Sequence, residues 1–169
     1  AGALFYRLNA DLAGANVNTA QNIFGVGVTL AASTVYAFEQ VCVFTKTAGT
    51  TSHTMGFGFG GTATINNLLL TGITNEGAAT GVGGLNTSAG SWGTNTVSNT
   101  TATPAMTSAT HFVMLFAKGS VSINAGGTFI PQYTLSAAPG GAYSTVAGSY
   151  IRFVPIGTAG SNSSQGTWA

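Results

Sequence analysis

Apolar positions in this chain recur every second residue, in short runs separated by Gly, Asn and Thr, and that period predicts strands. The clearest run is Thr34 to Thr45 (TVYAFEQVCVFT). Alternation places Tyr36, Phe38, Gln40, Cys42 and Phe44 on one face and Val35, Ala37, Glu39, Val41 and Val43 on the other. Both faces are apolar enough to predict a strand covered twice. The closing run, Ser149 to Ile156, reads the same way, with Tyr150, Arg152, Val154 and Ile156 opposite Ile151, Phe153 and Pro155. Paired with Thr128 to Leu135 across the turn Pro139-Gly140-Gly141, it predicts a hairpin. Further strands are predicted at Ala3 to Leu8, Ile23 to Leu30, His53 to Gly60, Thr62 to Leu70 and Thr110 to Ala117, and the turn KTAGTT predicts a second hairpin between the runs near 40 and 57. Gly25 and Gly27 share a face, Phe57 and Phe59 point inward, and no helix is predicted. The stretch from about 72 to 108 is rich in Gly, Asn and Thr and reads as a long variable loop region.

About eight to ten strands with turn signals roughly every 8 to 12 residues predict an all-β fold, a sandwich or barrel. At 169 residues the chain is a single-domain length, 1–169. Charge changes the picture more than length does. Only 4% of residues are Asp, Glu, Lys or Arg, so solubility must come from hydroxyls and amides. A net charge of +1 provides neither a basic patch for nucleic acid nor a polybasic membrane anchor. No apolar run approaches the roughly 18 residues of a membrane span, so no membrane insertion is expected. The start at Ala1 suggests a processed product or part of something longer. One cysteine, Cys42, excludes an intrachain disulfide.

Candidate chemistry is sparse. A glycosidase pair would have to come from Asp11, Glu39 and Glu76, which read instead as a loop residue, a mid-strand residue and a residue of the variable region. No GxSxG motif is present, and GFGFGG at 56–61 lacks a following phosphate-binding lysine. His53, His111 and Cys42 lack metal-ligand spacing and read as structural. The sequons at Asn86, Asn99 and Asn162 are what Asn/Thr-rich loops produce. Trp92 with Asn95 and Asn99 forms a possible ligand loop for sugar, set against the plainer reading of a partly packed aromatic. No catalytic residue, metal site or cofactor is predicted. Glu39, within a largely apolar run, needs a cation. With Lys46 and Lys118 read at turns, the expected partner is Arg152 or Arg7, in a buried ion pair within or between subunits.

The order of a short first strand, an aromatic strand near residue 40 and an apolar closing strand resembles the jelly-roll heads of the tumour necrosis factor and complement-collectin type. That resemblance implies a jelly-roll sandwich assembled as a homotrimer. The phrases FYRLNADLAGANVNTAQNIFGVGVTL, FTKTAGTTSHT, FGGTATINN, SVSINAGGTFIPQYTLSAAPGGAY and VPIGTAGSNSSQGTWA resemble C-terminal domains of tailed-bacteriophage structural proteins. They imply a virion protein, a fibre head or capsid decoration domain with other virion proteins as partners, and no enzyme. The alternative is a receptor-binding module that recognises host-surface glycan through 72–108.

Overall fold

The computed structural model describes residues 2–78, 88–164 and 166–168. Their regular structure is entirely strand: β1 (Leu4–Arg7), β2 (Leu12–Ala13), β3 (Gln21–Asn22), β4 (Val28–Leu30), β5 (Thr34–Lys46), β6 (Met55–Gly60), β7 (Thr64–Gly77), β8 (Ser88–Thr94), β9 (Thr100–Thr101), β10 (His111–Ala125), β11 (Gly127–Leu135), β12 (Ser144–Thr145) and β13 (Tyr150–Thr158). Two antiparallel sheets result. The larger has the order β1-β13-β5-β10-β7-β8, with β12 bridging β5 and β2. The smaller has the order β3-β11-β6-β9, with β4 also on β11. Most neighbouring strands are distant in sequence, and the two sheets form a β-sandwich.

One core lies between the sheets. Phe38, Phe44 and Phe153 from the larger sheet meet Phe57, Phe59, Phe129 and Tyr133 from the smaller. Phe59 stacks on Phe129 with ring centroids 4.3 Å apart, while Phe38 meets Phe59 edge-on at 5.6 Å and Phe44 meets Tyr133 at 5.2 Å. Rings at these separations add directional contacts to the burial of large apolar areas. The alternation read from β5 places Tyr36, Phe38, Gln40, Cys42 and Phe44 in this core.

Several expectations are corrected. Neither predicted hairpin forms, because β5 and β13 belong to the larger sheet whereas β6 and β11 belong to the smaller. The connections, 47–54 and 136–149, exceed the roughly two to five residues of tight hairpins and arch over the end of the sandwich instead. Of the strand predicted over Ile23 to Leu30 only β4 forms, with β3 ending just before the predicted start. Pro131 of β11 faces the gap: its carbonyl accepts from Ile23 N at 2.9 Å, but it has no N–H to continue the ladder, and Gly25 turns the chain away at φ 72°. Residues 72–108 are not one loop. They contain the end of β7, β8 and β9, and β7 pairs with β8 from Leu70↔Thr94 to Glu76↔Ser88. Small and polar residues carry these strands, which hid them from a search for apolar runs.

Candidate functional site

The outward face of the larger sheet holds most of what is unusual on the described surface. Antiparallel register aligns Phe5, Arg152, Glu39, Lys118 and Thr71 in one row across β1, β13, β5, β10 and β7. The next row is Arg7, Tyr150, Val41, Phe116, Ile73 and Ser91. Phe5, Leu69, Ile73 and Phe116 are between 51% and 59% exposed, so apolar side chains surround a short strip of charge. A shallow groove of about 730 Å³ runs over Val41, Ile73 and Phe116. A smaller one of about 280 Å³ lies beside it, between Glu39, Lys118 and Arg152 over Ala37 and Gly119.

Register places Arg152 directly opposite Glu39, yet within the chain no Glu39–Arg152 ion pair is formed. The cation beside the Glu39 carboxylate is Lys118, with Nζ 3.9 Å from Oε2. Glu39 is 31% exposed, because among the described residues nothing covers the outward face of β5. Arg7 donates instead to Asn9 Oδ1 at 2.6 Å. Lys118 is mid-strand, not at a turn. At the next residue, Gly119, the β7 backbone at Leu69 and Leu70 passes too close for a Cβ. Phe116 and Lys118 share the parity of Met114, and that alternation through Gly119 is the signal that would have found this face from sequence.

The other lysine was also misread. Lys46 is 2% exposed, at the end of β5, and its Nζ donates to the carbonyls of Ala48, Gly49, Ser108 and Ala109 at 3.2, 2.7, 2.6 and 3.0 Å. Burial pulls its pKa below the ordinary lysine value. Around it lie His53, Glu76, His111 and Tyr143. His53 Nδ1 donates to Thr51 O at 2.8 Å, so its Nε2 accepts from the Tyr143 hydroxyl, also at 2.8 Å. Burial first, then Lys46 and His111 nearby, lowers the His53 pKa against the opposing Thr51 carbonyl. Burial chiefly, with Glu76 and Tyr133 adding to it, pushes the Tyr143 phenol up. His111 Nε2 donates to Glu76 Oε2, while its buried Nδ1 has no hydrogen-bond partner among the described residues.

The remaining candidates are dispersed. Asp11 accepts from Ala147 N at 2.8 Å in a surface loop, so the three carboxylates sit on separate elements with separate partners. Cys42 is in the core, where burial pushes its thiol pKa well up, and no cluster of three or more potential metal ligands occurs among the described residues. Trp92 turns inward. It stacks on Phe57 at 5.9 Å, lies over Gly72 and donates to Thr74 Oγ1 at 2.8 Å. Asn99 packs against Gly56, and both Asn95 and Asn99 are exposed. Asn86 lies outside the described residues.

No protein-family model, curated protein or solved structure matches this chain.

Proposed function

We propose that this chain is a bacteriophage virion structural protein, a fibre-head or capsid decoration domain that works as a homotrimer. The observation that carries the reading is the outward face of the larger sheet. Six strands about 4.8 Å apart, averaging about four outward residues each, span roughly 600 Å², of the order of one side of a specific interface at about 800 Å². Phe5, Leu69, Ile73 and Phe116 are the apolar anchors such an interface uses. The virion setting rests on the resemblance of the long sequence phrases to phage structural domains. An assembly role also suits the dispersal of the three carboxylates.

Light scattering on the purified domain tests the assembly. The expected result is a trimer that Phe116→Asp converts to monomer without loss of β structure, and a monodisperse parent monomer at micromolar concentration would remove the reading. Mass spectrometry of purified phage particles tests the location.

A further inference from the structure

Four backbone carbonyls converging on one point make a cation site, since their oxygens replace a hydration shell. Here the point is occupied by the Lys46 ammonium. Its acceptors come in two pairs: Ala48 and Gly49 from the β5–β6 connection, Ser108 and Ala109 from the segment before β10. The two segments meet again at His53 and Met106, whose backbones exchange hydrogen bonds of 3.1 and 2.8 Å. Beneath them Gly49 lies against Gly140, at φ 87°, with the Pro139 carbonyl where a side chain would begin. The ammonium has three hydrogens for four oxygens, so one is shared, and each carbonyl would be left desolvated without it. The contact range of 2.6 to 3.2 Å suits ammonium or a large monovalent ion. It is longer than the roughly 2.3–2.6 Å of calcium or 2.0–2.1 Å of magnesium.

We propose that this cage is a monovalent-cation site that the chain fills with its own side chain, and that it accepts ammonium or potassium once Lys46 is cut back. Lys46 is thus a tethered structural ion. It clamps the loop end of the sandwich with a charge that chelation or dilution cannot remove.

Thermal melts of Lys46→Ala in ammonium, potassium and choline chlorides of equal ionic strength test this. The variant should melt roughly 10 °C below the parent in choline. Ammonium, and to a lesser degree potassium, should restore at least half of that loss. Lys46→Met, whose longer apolar side chain would still occupy the space beside the carbonyls, should stay low in all three salts. Equal midpoints for Lys46→Ala in every salt, or equal rescue of Lys46→Met, would overturn the proposal. Lysine reactivity in the native protein decides independently, even where Lys46→Ala does not fold. The chain has two lysines, and acylation followed by peptide mass spectrometry should modify the exposed Lys118 at least tenfold faster than Lys46, the difference vanishing in denaturant. Equal native rates would show that the cage does not hold the ammonium.

Discussion

Replacing Glu39 by Gln removes the one negative charge from the row Arg152–Glu39–Lys118 while keeping the side-chain shape. Within a single chain the Lys118–Glu39 separation is 3.9 Å, with the lysine 79% and the glutamate 31% exposed. In a water-like dielectric that separation is worth about 1 kcal/mol, and side-chain entropy and salt reduce it to the roughly 0–1 kcal/mol of exposed pairs. For a domain of this length that is at most about 2–4 °C in Tm. Covered by a second copy, the row loses its water. Arg152 and Lys118 would then be left buried without an anion, a cost of about 3–5 kcal/mol that weakens association. The assay is a pair of thermal melts, parent and Glu39→Gln, below and above the concentration at which light scattering detects association. The shift should be a few degrees when dilute and roughly 6–20 °C when associated. An equally small shift at both concentrations, with both proteins still associated, would refute the assignment of this face as the buried one.

Acid should destabilise the domain. Burial depresses the His53 pKa below 6.5, so the unfolded chain takes up the proton first and stability is lost as pH falls below about 6.5. Melts at several pH values should show that slope shrinking in His53→Gln, and an unchanged slope would assign it to other groups. Gly58→Ala should cost about 1–3 kcal/mol, because a Cβ there meets the Val97 carbonyl and the Asn99 amide that lie on β6. Chemical denaturation measures this, and a neutral effect would mean that the 97–99 segment can lift away. Cys42, buried with its pKa raised, should react with thiol reagents only as fast as the chain opens, so labelling that outpaces unfolding would contradict its place in the core.

What was legible in the sequence is what alternation encodes directly. The two faces of β5, the inward Phe57 and Phe59, and the all-β class all follow from period-two patterning. Which strands pair was not legible. Thr34–Lys46 and Met55–Gly60 look like hairpin partners in sequence, but a connection of this length is equally able to turn between strands or to arch between sheets, and only packing of the whole core decides. The charged residues were misread for a related reason. Lys46 follows a strand and precedes a Gly-containing turn, and whether it points to water or to four carbonyls depends on Ser108 and Ala109, which lie about sixty residues away in sequence. Residues 88–94 escaped because their inward aromatic, Trp92, sits in a run of Ser and Gly whose strand character comes from pairing with β7.

The placement of charge separates the two sides of the sandwich. Nine residues are Asp, Glu, Lys, Arg or His. None lies on β3, β4, β6, β9 or β11, so every charged strand residue belongs to the larger sheet. The smaller sheet's polar contacts are amides and hydroxyls bonded to each other: Gln132 donates to Asn22 at 3.0 Å, and the Thr62 and Thr128 hydroxyls meet at 3.2 Å. A surface of that kind carries no field for salt to screen, so contacts made through it should be insensitive to ionic strength. The larger sheet combines apolar anchors with a strip of two cations and one anion, which in the proposed assembly would set register and repel a misaligned like-charged strip. A chain that needs one specific homotypic contact and an otherwise inert surface would divide its few charges in this way.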